Sequence, residues 1–361
     1  MSETSAVFIE KNQIKDEYAL SLINCPVCNF NKFKLLFVHD GFSYYKCRNC
    51  TFVFTNPRLN GKGSKIWYNS DYYNAALKKE IYINAQDEQY YSVSLNQAHF
   101  KKVVEVIDEH FKDKNISIID LGCSTGSLLA CLRDKYGFSN LSGIDLNKNA
   151  IEFAKNKRKL NVAVADITDI NNKDKFDLVI NTENIEHVND LNEYIANLKQ
   201  TIRSNGHLLI STPHNDPKAL KLFGLFADHF CAPNHINYFN EKTIGLFLKR
   251  HGFEIKYIFI DRTWRFNLYA FLKSKLYVTD QVTAEPPFEA FFKGPIKKDI
   301  SDRRSLVQLK EIIIGASPSN VTSKSRNSVK AFLKKVLTFP VGKPYKTHLI
   351  LLAKKVQNEK Q

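Results

Sequence analysis

Three groups of residues in this 361-residue chain have the types and spacing to do chemistry. Cys25-Pro-Val-Cys28 and Cys47-Arg-Asn-Cys50 are two C-x2-C pairs with eighteen residues between them. Four thiolates so spaced suit a closed tetrahedral shell, and a structural zinc ion is its natural occupant. Asp120, Asp145 and Asp166 each end a short apolar run: ISIID, LSGID and VAVAD. Carboxylates lined up in this way can accept hydrogen bonds from hydroxyl and amino groups and can attract a cation. His187 and His214 follow further apolar runs, His235 stands just before a helical pattern at Glu241–His251, and a histidine near its ordinary pKa is the natural proton acceptor. A closed four-cysteine shell leaves no position for a substrate, so its expected role is in folding.

These residues need elements to position them. Ile116–Leu121 reads as a buried strand ending in the turn Asp120-Leu-Gly122-Cys-Ser124-Thr-Gly126. Helical spacing over Leu128–Tyr136, a strand at Leu141–Leu146, a helix at Ala150–Arg158 and strands at Val162–Ala165 and Phe176–Asn181 follow. Then come a helix at Leu191–Ile202, a strand at Gly206–Thr212, a helix at Glu241–His251 capped by Gly252, a strand at Phe253–Ile260 and a last strand at Thr347–Ala353. This alternation predicts an α/β, Rossmann-like, doubly wound and mostly parallel sheet, with ligands at the carboxyl ends of its strands. The first turn is not G-x-G-x-x-G, and an acid stands two places before Gly122. Such a turn repels a pyrophosphate and suits a neutral or cationic nucleoside. Between the cysteine pairs, Lys32–Val38 and Ser43–Lys46 flank Asp40-Gly41 as a hairpin. The expected organisation is a zinc-ribbon-like module at 21–58, an aromatic connecting or lid segment at 59–100, the nucleoside-binding domain at 101–261, and a basic extension at 262–361 that returns a strand to the sheet.

The stretches IIDLGCSTG, GIDLNKNAIEFAK, VAVADITD, FDLVINTENIEHVND and GHLLISTP, in this order, resemble the class I methyltransferases that use S-adenosylmethionine. The resemblance implies a seven-stranded sheet. It places Asp120, Gly122 and Gly126 around the methionine part of the cofactor, Asp145 on the ribose, and Asp166 with Ile167 at the adenine. Cys123, Ser124, Leu146 and Asn181 complete the implied cofactor site, with Ser124 where a glycine is commoner. HINYFNEKTIGLFLKRHGFEI is similar to a segment of bacterial methyltransferases of sugar and surface-polysaccharide pathways. That likeness implies His235 as base, beside His187 and His214 as the candidates their positions after strands offer, with a sugar or nucleotide-linked sugar as acceptor, methylated on oxygen or carbon. E-x-x-E-H with a later histidine also resembles the metal-binding set of small-RNA and some quinone-pathway methyltransferases. Glu183, Glu186, His187 and His214 would then hold a divalent ion.

Composition excludes other classes. A hydrophobic share of 43% with 26 Phe supports a sizeable core, and 14 Gly with 11 Pro are too few for collagen-like or low-complexity chains. No apolar run reaches the length of a membrane span, and the first residues lack a secretion signal, so a cytoplasmic protein is expected. The net charge is +15, of which residues 293–361 contribute +12 from 16 basic and 4 acidic residues. Ser328–Leu337 in that tail reads as a basic amphipathic helix, which allows a peripheral membrane contact. Two other functions compete with a small-molecule methyltransferase. One is an RNA methyltransferase guided by the ribbon and the basic tail. The other is a non-catalytic binding protein that kept the fold, which the acids at 120, 145 and 166 oppose.

Overall fold

The computed structural model describes residues 7–11, 13–68, 70, 97–166, 175–216, 230–265 and 340–356. Its centre is a seven-stranded sheet built from β8 (Ile118–Leu121), β9 (Leu141–Asp145), β10 (Val162–Val164), β11 (Phe176–Thr182), β12 (Ile202–Pro213), β14 (Phe253–Arg265) and β15 (Pro340–Lys355). The spatial order is β10-β9-β8-β11-β12-β15-β14. The strands from β10 to β12 pair in parallel, and β15 runs antiparallel between β12 and β14. Every strand expected from the apolar runs is present. β15 begins earlier than expected, at Pro340, and pairs with β14 along most of both strands. N-terminal to His348 it pairs with β14 alone, so its extra length follows that one antiparallel partner rather than its own apolar run.

The two faces of this sheet form separate cores, because successive side chains alternate. Ile118, Leu178, Ile180, Leu209, Ile350 and Leu352 face α2 (Gln97–His110), α3 (Ser127–Tyr136) and α4 (Lys148–Asn156). Ile119, Leu121, Val179, Leu208, Ile210 and Leu351 face α5 (Leu191–Thr201) and α6 (Glu241–Arg250). The helices start where side chains satisfy their free N–H groups: Asn147 on α4, Asp190 on α5, and a capping box of Asn240 and Thr243 on α6. Gly252 follows α6 at φ +78°, the left-handed conformation that ends a helix.

The N-terminal residues form β1 (Ile9–Glu10), β2 (Gln13–Ile14), β3 (Ala19–Leu20), β4 (Phe33–His39), β5 (Phe42–Cys47), β6 (Val53–Thr55), β7 (Arg58–Leu59) and α1 (Gly61–Tyr68). β4 and β5 make the expected hairpin around Asp40 and Gly41, both at positive φ. One pairing has no counterpart in the sequence pattern. β13 (Asn237–Tyr238), which lies between β12 and α6, pairs with β6 and extends the hairpin to a four-stranded sheet. Cys25, Cys47, Cys50, Phe52 and Phe54 share one continuous core with Phe239, Phe247 and Leu198. Residues 69 and 71–96 of the expected connecting or lid segment (59–100), the tail helix at 328–337 and Ile167 lie outside the described residues.

Candidate functional site

The four cysteine sulfurs lie within 4.8 Å of one another, with Cys25–Cys50 and Cys28–Cys47 separations of 3.6 Å. A tetrahedral zinc with Zn–S bonds of about 2.3 Å needs S–S edges of roughly 3.8 Å, so the donor set fits the ion. Each pair sits on the same kind of knuckle. Cys25 N donates to Phe30 O and Asn29 N to Cys25 O; Cys47 N donates to Phe52 O and Thr51 N to Cys47 O. Asn29 and Thr51 both take left-handed backbone, at φ +63° and +70°.

At the carboxyl end of the large sheet, Asp120 leaves β8 with 2% of its surface exposed, and its Oδ1 has no hydrogen-bond partner among the described residues. Burial, and then the charge of Asp145, push its carboxyl up to about 7. The turn behind it is held by Gly122 N and Cys123 N, both donating to Ile144 O. Gly122 takes φ +79°, and a Cβ there would meet Asn184 Nδ2 at 2.5 Å. That amide anchors the next loop by donating to Leu121 O and Thr182 O. Ser124 sits at φ +48°, which explains why glycine is the easier residue at its position. Cys123 is buried against Gly143, and burial keeps it a thiol. Asp145 Oδ2 accepts from Ser124 N at 2.9 Å and Oδ1 from Asn147 N at 2.7 Å, which fixes the carboxylate at the tip of β9. Leu146 beside it is 68% exposed, a large apolar surface at a strand tip. Asp166 follows β10, whose Val164 lies opposite Asp145. Asn181 is fully buried and donates to Tyr194 Oη at 2.5 Å. The orphaned oxygen of Asp120 and the fixed carboxylate of Asp145 fit a ligand that carries both an ammonium and a ribose.

Beyond β11, a single 3-10 turn (Ile185–His187) brings three groups together. Oxygen and nitrogen atoms of Glu186, His187 and His235 lie within 4.8 Å of one another, and the two imidazole rings are 4.9 Å apart, edge to face. Glu186 is buried. Its Oε2 accepts from Thr212 Oγ1 at 3.0 Å, and its Oε1 has no hydrogen-bond partner and lies 3.7 Å from His187 Nε2. Burial, with the charge of Glu183 next, raises the Glu186 carboxyl well above its ordinary value. His187 Nδ1 is 2.7 Å from Asn234 O. Burial lowers its pKa against that hydrogen bond, so the ring is neutral at pH 7.

The four residues expected from E-x-x-E-H and the later histidine do not assemble into one such group. His214 is buried, with its Nε2 2.6 Å from Glu241 Oε2. Glu183 is taken by a different cluster: Ser211 Oγ donates to its Oε1 at 2.8 Å, His99 Nε2 lies 3.4 Å away, and His348 Nε2 is 3.9 Å from Oε2. Burial opposes ionisation there, but the His99 hydrogen bond and the His348 and His99 charges bring Glu183 down to about 2. His99 on α2 and His348 on β15 carry no motif. Only the sheet brings them beside β11.

A family model described as a methyltransferase domain matches residues 95–258. The ubiquinone biosynthesis O-methyltransferase of Rickettsia typhi is 35% identical over 142 residues, 38% of this chain and 56% of that protein. That of Rickettsia canadensis is 30% identical over 174 residues, 45% of this chain and 73% of that protein. The chain thus spans just over half the length of the first of these curated relatives. Among solved structures, a methyltransferase from Archaeoglobus fulgidus is similar with a TM-score of 0.39 at 15% identity, over 71% of this chain and 94% of that one. With its acid-tipped parallel strands and the antiparallel strand between the last two, the chain belongs to the class I S-adenosylmethionine-dependent methyltransferases.

Proposed function

We propose that this protein transfers a methyl group from S-adenosylmethionine to a hydroxyl of a small-molecule acceptor, with His187 as the base. The observation that carries the base is the 2.7 Å contact from His187 Nδ1 to Asn234 O. A carbonyl only accepts, so Nδ1 carries the proton and Nε2 keeps its lone pair. The ring is neutral and its side chain is 25% exposed, so an acceptor hydroxyl can reach it. Asp120 would hold the ammonium of the cofactor, Asp145 its ribose hydroxyls and Asp166 its adenine edge. The cofactor supplies a methyl group on a sulfonium that is its own leaving group. Transfer to the hydroxyl would leave the cofactor as a neutral thioether, and His187 Nε2 would take the hydroxyl proton.

The relatives are named for O-methylation in ubiquinone biosynthesis, which favours oxygen over carbon as the acceptor atom. It gives no support to a surface-polysaccharide pathway, so a sugar is one arm of the test rather than its premise. Labelled cofactor should be turned over with hydroxylated aromatics, sugars, nucleotide sugars and RNA in parallel. Asp145→Ala is expected to abolish cofactor binding. His187→Gln should lower the rate by about 100-fold or more with cofactor binding intact, and His235→Gln by less. A His187→Gln variant with near-normal turnover would remove it as the base.

A second reading rests on the orphaned Glu186 Oε1 beside His187 and His235. These groups would suit a divalent ion that polarises the acceptor oxygen. Equilibrium dialysis decides between the readings: a second metal per chain, lost in Glu186→Gln while the four-cysteine metal stays, favours the ion.

A further inference from the structure

We propose that Arg58, a side chain of the four-cysteine module, is a positioning residue for His187; the proposal rests on reading His187 as the base. Arg58 is fully buried. Among the described residues, its side-chain hydrogen-bond partners are all carbonyl or amide oxygens. Nη1 donates to Asn189 O at 3.0 Å, Val188 O at 3.4 Å and Asn237 Oδ1 at 3.2 Å. Nε and Nη2 donate to Thr55 O, and Nη2 also to Ile236 O at 3.5 Å. A buried guanidinium is costly unless its N–H groups are satisfied. Here they are spent on three segments at once: the end of β6, the chain after the 3-10 turn, and the start of β13.

Those segments bracket the loop that orients His187. Asn237 Nδ2 donates to Ile185 O and Val188 O, Ile236 N donates to Glu186 O, and Thr55 N donates to Ile236 O. On the module side, Tyr44 Oη accepts from Ala232 N at 3.0 Å. Asn234 stands inside this bracket, and its carbonyl is the group that fixes the proton on His187 Nδ1. A neutral histidine side chain in water prefers its proton on Nε2. If the bracket loosens, the ring reverts to that form and the nitrogen facing an acceptor loses its lone pair. The module therefore acts on the reaction through a tautomer and touches no substrate.

The test uses the full-length, metal-loaded chain and the variants Arg58→Lys and Tyr44→Phe. Lysine keeps the charge but cannot span acceptors on three segments, and Tyr44→Phe removes one hydroxyl. Nitrogen-resolved NMR of His187 reads the tautomer, calorimetry the cofactor affinity, and labelled turnover kcat and KM. For Arg58→Lys we expect cofactor affinity within about twofold of the wild type, a Nε2–H form that the wild type lacks, and kcat lower by about 100-fold. Tyr44→Phe is expected to move in the same direction by less, and it decides the matter if Arg58→Lys does not fold. A folded variant that retains only the Nδ1–H form overturns the positioning. A tautomer shift with unchanged kcat leaves the positioning in place and overturns His187 as the base. If the wild type methylates nothing in the panel, the tautomer measurement still decides for or against Arg58.

Discussion

Asp120 shows what one side chain's surroundings decide. Its carboxyl titrates at about 7 instead of the ordinary 3.8 because burial and Asp145 both disfavour its charge. A carboxyl still protonated below 7 must ionise before it can pair with an ammonium. Cofactor binding should therefore release a proton, and affinity should strengthen as the pH rises from 6 through about 7. Calorimetry in buffers of different ionisation enthalpy reads that proton directly. Asp120→Asn should bind weakly with a flat pH dependence, and an equally flat wild-type profile would refute the assignment. The raised value also means that the ligand-free fold loses stability as pH rises from about 4 toward 7, because the folded carboxyl holds a proton the unfolded one has released. The position of Asp120 was readable from the apolar run that ends at it. Its titration was not, since the second cause is a carboxylate 25 residues away in the chain. His187 teaches the same lesson: the residue was a candidate from its place after a strand, but the hydrogen bond at its Nδ1 comes from a carbonyl 47 residues on.

At the scale of elements, the turn from β8 into α3 couples two neighbours. Gly126 takes φ +73° at the start of α3, and a Cβ there would meet Leu160 Cδ1 at 2.3 Å and Ala154 Cβ at 3.3 Å. Gly126→Ala should combine left-handed strain with displacement of Leu160, a loss of about 2 kcal/mol or more in denaturant unfolding. Because the displaced Leu160 packs behind β10, cofactor affinity should fall as well. A cost near zero would mean that α4 and β10 yield freely. The sequence revealed this turn because glycine spacing and strand ends are local. It did not reveal β13, whose two residues gain strand geometry only from pairing with β6. Nor did it reveal the cluster of His99, Glu183, Ser211 and His348, whose members come from two strands, a helix and the loop after β11.

Across the whole molecule, the four-cysteine module is built into the main fold. Its cysteines and Phe52 and Phe54 share a core with α5, α6 and β15. If the four cysteines hold a zinc ion, its removal by chelation or by Cys47→Ser should lower the midpoint of one common thermal transition by roughly 5–10 °C. A separate early transition with the main one unmoved would show that the module folds on its own. No helix among the described residues is long and apolar enough to cross a membrane. The cysteine spacing, the acids at strand ends and the strand–helix alternation were determined by the sequence alone, because each is a short-range pattern in which a residue's role follows from its neighbours along the chain. The tertiary structure alone decided which histidine meets which carboxylate, which imidazole nitrogen faces the Asn234 carbonyl, and that Arg58 ties the four-cysteine module to the loop beside it. These depend on groups that are distant in sequence and meet only once both faces of the sheet are covered.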